Sequence, residues 1–224
     1  MRDYKPDKYI QLVTDIKDKK FQQYMRNEDR FIADIKDARS KTLVDLGAGY
    51  GRSLPLLAKV GHDVIAIEIN PDMNVELERR ALKYNNVQVI KGDFLKLPEI
   101  LPTMSNRPVF LFLLNTLGTI EGGDYKDAVQ VAMQEATNRQ GELVLSLLRQ
   151  HVLGSWGLEF YGKISEMTGN VNMKRSDFKK GILITNTGYT SKWWTDEDIE
   201  GFKRLGKLIR EEFTDEYTFL QLGF

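Results

Sequence analysis

The 224-residue sequence has no cysteine and only two histidines, His62 and His151. Disulfides, thiolate zinc sites and cysteine nucleophiles are therefore excluded, and two imidazoles alone make a poor zinc site. A cysteine-free chain fits the cytoplasm, which is the expected location. An excess charge of one sign is also missing. Lys plus Arg and Asp plus Glu number 32 each, so no global field gathers a polyanion, and nucleic acid is not an expected partner. No apolar run approaches membrane-spanning length, and the opening "MRDYKPDKYIQLVTDIKDKK" is too charged for a signal peptide, so no membrane association is expected. No acidic cluster points to a magnesium site, and there is no internal repeat, low-complexity stretch or linker. The metal expectation is none.

What is present is an ordinary globular composition, 42% hydrophobic and 29% charged, of a length that buries one full core. Residues 5–40 read as one or two amphipathic helices, with Tyr9, Leu12, Val13 and Ile16 on one face and Phe31, Ile32 and Ile35 on another. Short apolar runs at 42–46, 64–68, 87–91, 108–114 and 142–148 then predict strands. Helices are predicted between them at 52–60, stopped by Gly61, at 71–84 behind Asn70 and Pro71, and at 124–139, capped by Asp124. Strands alternating with helices, several unbroken in apolarity such as "VFLFLL", imply a parallel sheet covered on both faces. The tail departs from this rhythm. A helix starting at Thr195 is followed by "LIREEF" and "YTFLQLGF", separated by three residues, too few for a crossover; they predict an antiparallel hairpin.

The densest signal is Asp45-Leu-Gly47-Ala48-Gly49-Tyr-Gly51 between the first strand and its helix. Glycine is entropically costly, so a turn this rich in it needs a reason. A P-loop requires Gly-Lys-Ser/Thr, which is absent. The dinucleotide fingerprint needs a glycine at the sixth position, where Arg52 stands. What remains is the pattern Asp-x-Gly-x-Gly-x-Gly itself, whose bare glycine backbone can pass close to a ligand.

The turn resembles the first motif of the class I S-adenosylmethionine-dependent methyltransferases, Asp/Glu-x-Gly-x-Gly-x-Gly, at every defined position. The resemblance covers about residues 42–150 by motif and 195–224 by architecture. It implies a Rossmann-like α/β fold: a seven-stranded, mostly parallel sheet ending in a C-terminal antiparallel hairpin. It also implies S-adenosylmethionine as cofactor and S-adenosylhomocysteine as product. By this resemblance Asp45 helps hold the ligand's ammonium, and Gly47, Ala48, Gly49 and Gly51 form the cradle. Glu68 accepts ribose hydroxyls and Ile69 packs on adenine. Asp93 and Phe94 meet the adenine edge, and Asn115 sits beside the sulfonium.

Four segments follow: an N-terminal helical cap (1–41), the α/β core (42–148), a lid insert between the fifth strand and its helix (149–194), and a final helix and hairpin (195–224). The insert is too long for a loop and rich in aromatics, among them Trp156, Tyr161, Tyr189, Trp193 and Trp194. Asn115 is followed by Thr-Leu-Gly, without the Pro-Pro-aromatic of amino-group methylases acting on bases, and the cysteine that cytosine C5 methylation needs is absent. The expected acceptor is an N or O atom of a small molecule. A protein or RNA acceptor and non-catalytic S-adenosylmethionine binding are the competing readings. Candidate catalytic groups are His151, Tyr161 and Tyr189, with Tyr24 placed to close over the donor; a role in packing competes for each.

Overall fold

The computed structural model describes residues 6–120 and 125–224. Asp124, expected to cap a helix, lies outside them, as does the side chain of Leu12. Two N-terminal helices, α1 (Pro6–Asp15) and α2 (Lys19–Ala33), precede the sheet. The alternating part runs β1 (Lys41–Leu46), α3 (Leu54–Val60), β2 (Asp63–Glu68), α4 (Pro71–Ala81), β3 (Val87–Lys91), α5 (Leu97–Ile100), β4 (Arg107–Phe112), α6 (Tyr125–Asn138) and β5 (Glu142–Leu148). The insert that follows contains α7 (Leu158–Lys163), α8 (Ser165–Thr168), β6 (Ile182–Ile184) and β7 (Thr190–Lys192). Then come α9 (Asp196–Lys203), β8 (Lys207–Phe213) and β9 (Tyr217–Gly223).

The main sheet has seven strands in the order β3-β2-β1-β4-β5-β9-β8. The neighbours from β3 to β5 are parallel; β9 enters antiparallel between β5 and β8, with Leu145 opposite Leu220. This is the expected Rossmann-like sheet with its terminal hairpin. Alternation within the apolar strands sends neighbouring residues to opposite faces. Leu43, Val64 and Val109 join a core shared with α2 and the insert, whereas Val44, Ile65 and Phe110 join one shared with α6 and α9.

Local signals account for the helix starts. Asn70 accepts from the Asp72 and Met73 amides at the head of α4, with Pro71 behind it. Thr195 and Asp198 form a reciprocal capping box on α9. Asp18 caps α2 through the Phe21 amide and also accepts from Trp156 Nε1 at 3.1 Å and from Lys163 Nζ at 2.7 Å. One carboxylate thus starts α2 and ties the insert to it. Phe21 stacks on Phe160 at 4.7 Å, and Trp156 meets Trp193 edge-on at 5.3 Å, so insert and N-terminal helices share one core. Among the described residues no helix is long and apolar enough to cross a membrane.

β1 pairs with β2 on one side and β4 on the other, so the chain reverses its direction of travel across the sheet between β1 and β4. Open α/β sheets bind ligands in the crevice at such a point, outside the carboxyl ends of the strands.

Candidate active site

A cavity of about 530 Å³ opens at this switch point. Its floor is the glycine turn after β1, its sides are the ends of β2, β3 and β4, and its roof is Tyr9 of α1 with Met167 and Tyr189 of the insert. The volume lies in the range of small-molecule sites.

The three turn glycines all have positive φ, 76° at Gly47, 57° at Gly49 and 83° at Gly51, but each answers a different constraint. A Cβ at Gly47 would lie 2.7 Å from Thr116 Cγ2, and one at Gly51 would lie 2.8 Å from Leu77 Cδ1. Those two positions are closed by the protein. A Cβ at Gly49 would meet nothing within 4 Å, because that side of the backbone faces the cavity. The Gly49 N–H donates to Glu68 Oε2 at 2.8 Å, and the Asn70 N–H donates to Glu68 Oε1 at 2.7 Å. Glu68 therefore fixes the turn to the end of β2. Each of its oxygens retains acceptor capacity beyond the amide it already takes.

Carboxylates crowd this end of the sheet. Burial pushes Asp45 up to about 7, against the pull of Arg52, and Glu28 and Glu68 add to the rise. Burial also raises Glu68, opposed by the amides of Asn70, Gly49 and Ile69. Burial raises Glu28 as well, opposed by Arg52. Arg52 pairs with Glu28 and, at 3.0 Å, with Asp29; burial disfavours its charge, but Glu28, Asp29 and Asp45 outweigh that and keep it ionised. A cavity walled by surplus carboxylate suits a ligand that brings an ammonium.

Asp45, Gly47, Ala48, Gly49, Glu68, Ile69, Asp93 and Phe94 line the cavity together. Asp93 also caps the short 3₁₀ turn that follows it, accepting from the Leu95 amide at 2.9 Å. Gly51 does not line the cavity; packing against Leu54 and Leu77 claims it. Asn115 does not line it either, although its neighbours Leu114 and Thr116 do. It is buried away from the cavity, its Oδ1 accepting from Trp194 Nε1 at 2.8 Å and its Nδ2 donating to the Lys192 carbonyl at 3.0 Å. Left-handed backbone at Leu114 and Asn115, φ 51° and 56°, turns that amide toward the insert.

Of the candidate catalytic groups, Tyr189 lines the cavity, whereas Tyr161 is buried in the insert and His151 is exposed outside the lining. Tyr24 is fully buried and bonded to Ser146 at 2.7 Å, so it does not close over the cavity. Tyr9, Tyr50, Arg52 and Met167 line it without having been expected from the sequence. Arg52 is visible there only as the residue that breaks the dinucleotide fingerprint. Glu28 gives a usable signal: it stands four residues after Tyr24 and four before Ile32, an acid on an apolar helical stripe.

A family described as a methyltransferase domain matches residues 43–136. Ribosomal RNA small subunit methyltransferase A of Thermotoga maritima is 34% identical over 202 residues, covering 84% of this chain and 68% of that protein. A probable ribosomal RNA small subunit methyltransferase A of Methanosarcina acetivorans is 35% identical over 82 residues; the match spans 36% of this chain and 30% of that protein's length. Among solved structures, the PH0226 protein of Pyrococcus horikoshii superposes with a TM-score of 0.65 at 16% identity, covering 95% of both chains. A second is the Burkholderia thailandensis 1,6-didemethyltoxoflavin-N1-methyltransferase, solved with 1,6-didemethyltoxoflavin and S-adenosylhomocysteine. It superposes with a TM-score of 0.60 at 12% identity, covering 97% of this chain and 86% of that one. The chain belongs to the class I S-adenosylmethionine-dependent methyltransferases, whose cofactor is S-adenosylmethionine. The cavity fits that cofactor: an open backbone cradle at Gly49, acids at separate points along the wall, and apolar Ile69, Phe94 and Leu95 between them.

Two outcomes are expected. Gly49→Ala puts a methyl group into the open cradle and should weaken S-adenosylhomocysteine binding by about 1–3 kcal/mol, read by calorimetry. Left-handed strain at the same residue should cost about 1–2 kcal/mol of stability. Wild-type affinity in that variant would make the turn purely structural. Second, affinity for S-adenosylhomocysteine should fall about tenfold per pH unit below about 7, as Asp45 takes up its proton. On the alkaline side affinity should fall again only where the ligand's own amine, that of a free amino acid beside its carboxylate, loses its proton. Asp45's folded value lies above its unfolded value of about 3.9, so its charge costs stability, a cost absent below that pH and fully present above about 7. Asp45→Asn should therefore raise the Tm of the ligand-free protein at pH 8 while flattening the acid limb of binding. A wild-type Tm at pH 8, or an unchanged acid limb, would contradict the assignment.

Proposed function

We propose that this protein transfers a methyl group from S-adenosylmethionine to an N or O atom of a small molecule held beneath the insert. The observation that carries the reading is the roofed cavity at the switch point, open over Gly49 and walled by Asp45 and Glu68. In this reading Asp45 faces the donor's ammonium, Glu68 its ribose hydroxyls, and Asp93, Ile69 and Phe94 its base. Bound there, the donor supplies an electrophilic methyl on a sulfonium. The protein's contribution is to hold donor and acceptor in line and to keep water out.

The acceptor's place is the far side of the cavity, along Leu113, Leu114, Thr116, Ile120, Met167 and Tyr189. Thr116 Oγ1 is occupied by the Leu113 carbonyl at 2.5 Å. These walls favour the neutral form of an amine, which is its nucleophilic form, and an amine acceptor needs no strong base. A hydroxyl acceptor would draw on Tyr189, and nitrogen is the better fit.

RNA as acceptor is the second reading, supported by the names of the Thermotoga and Methanosarcina relatives. It needs phosphate contacts beside the cavity, where Arg52 is already engaged by Glu28 and Asp29. Incubation with methyl-labelled S-adenosylmethionine separates the two readings. A metabolite extract should yield a labelled product identifiable by mass, and small-subunit ribosomal RNA should remain unlabelled. Label confined to the RNA would reverse the choice. Donor binding without transfer to either would favour a non-catalytic binder.

A further inference from the structure

Resting on the reading of the cavity as a donor site, we propose that Glu28 is a positioning residue for it. From α2 it pins the turn after β4 and, through Arg52, sets the charge that Asp45 presents to the ligand. Glu28 is 1% exposed, and its two oxygens face two different parts of the site. Oε1 accepts the Leu114 N–H at 2.6 Å, while Oε2 pairs with the Arg52 guanidinium of the glycine turn. Leu113, Leu114, Arg52 and Asp45 all line the cavity. One carboxylate from outside the α/β core thus holds both edges of the switch-point crevice.

Docking α2 does not require this charge. Phe21, Tyr24, Phe31 and Ile32 already bury the same face of the helix. A buried carboxylate is costly unless it is paired and hydrogen-bonded, and an apolar residue would dock the helix at less expense. The turn it holds is also one the chain resists, because Leu114 sits in left-handed backbone, where a branched side chain is an outlier. A strained residue whose amide is held by a buried acid, at the edge of the cavity, points to positioning of that edge.

The electrostatic part follows from the groups around Glu28. On its own helix are Tyr24 and Asp29; the glycine turn supplies Arg52; β1 supplies Asp45, with Glu68 of β2 acting on it; β5 supplies the Ser146 hydroxyl. Arg52 is the cation acting on Asp45, and Glu28 draws that cation's charge toward α2. Neutralising Glu28 leaves Arg52 to stabilise the Asp45 carboxylate, so Asp45 should ionise at lower pH. Neutralising Arg52 should do the reverse.

The test is calorimetric titration of the full chain with S-adenosylhomocysteine from pH 5.5 to 8, using wild type, Glu28→Gln and Arg52→Gln, each checked for folding by circular dichroism. Wild type should lose about fivefold in affinity between pH 7 and pH 6, approaching tenfold per unit only further below the midpoint. Glu28→Gln, which can still accept the Leu114 amide, should lose less than about threefold over that interval. Arg52→Gln should move its midpoint above that of wild type. Opposite displacements of one midpoint are not what general loosening of the fold produces. A midpoint unchanged in both folded variants overturns the proposal. If Glu28→Gln does not fold, Arg52→Gln decides alone, an upward displacement supporting the proposal and none overturning it. A wild type that binds no S-adenosylhomocysteine at any pH defeats the donor-site reading itself, a distinguishable failure. For the pinning role, amide exchange by NMR in Glu28→Ala should accelerate Leu114 at least about tenfold while Phe110, inside β4, stays unchanged. Equal acceleration at both, or at neither, would remove that role.

Discussion

One guanidinium balances the carboxylates buried where the strands of the sheet end. Arg52 pairs with Glu28 and Asp29 and acts on Asp45, and Glu68 lies on the other side of the same turn. Buried charges are tolerated only when paired or hydrogen-bonded. The pairing here is incomplete, because Asp45 remains raised to about 7. In the proposed reading that deficit is what the donor answers. A ligand bringing an ammonium there would supply the missing positive charge, so that its binding would also relieve an internal cost. The glycine turn, the carboxyl ends of β1 and β4, and α2 are organised around it.

Much of this arrangement is legible in the sequence because the signals are local. The five parallel strands are short apolar runs, and the cap residues Asn70 and Thr195 announce their helices. The final hairpin follows from the three-residue connection between its strands, whereas the order of strands across the sheet is set by the folded chain. Gly47, Gly49 and Gly51 are visible as a group, but only the folded chain separates them, since Gly51 answers to Leu54 and Leu77 while Gly49 answers to the cavity.

What stayed hidden is non-local. Asn115 stands where a residue beside the sulfonium is expected, yet its partners Lys192 and Trp194 lie more than seventy residues further along the chain. Nothing in the spacing of residues 113–118 encodes a left-handed turn that aims the amide at the insert. β6 and β7 have three residues each, too short for a period of two to register. Glu28 hides in plain charge, because an acid in a helix that also carries Lys, Arg and Asp reads as solvated unless its place on the apolar stripe is noticed.

The roof connects fold to function. Tyr9 packs edge-on against Tyr50 at 5.8 Å, and Val13, Tyr50 and Met73 form a small cluster separate from the main cores. α1 is thereby anchored to the glycine turn itself, while Met167 and Tyr189 reach the cavity from the insert. Donor and acceptor would then be enclosed from two independent parts of the chain around a fixed floor.

The most direct measurement is a crystal structure of the protein grown with S-adenosylhomocysteine. The account predicts the amino-acid part of the ligand beside Asp45 and over Gly49, its ribose on Glu68 and its base between Ile69 and Phe94. Density for the ligand elsewhere, or a cavity filled by the protein's own side chains under saturating ligand, would contradict it.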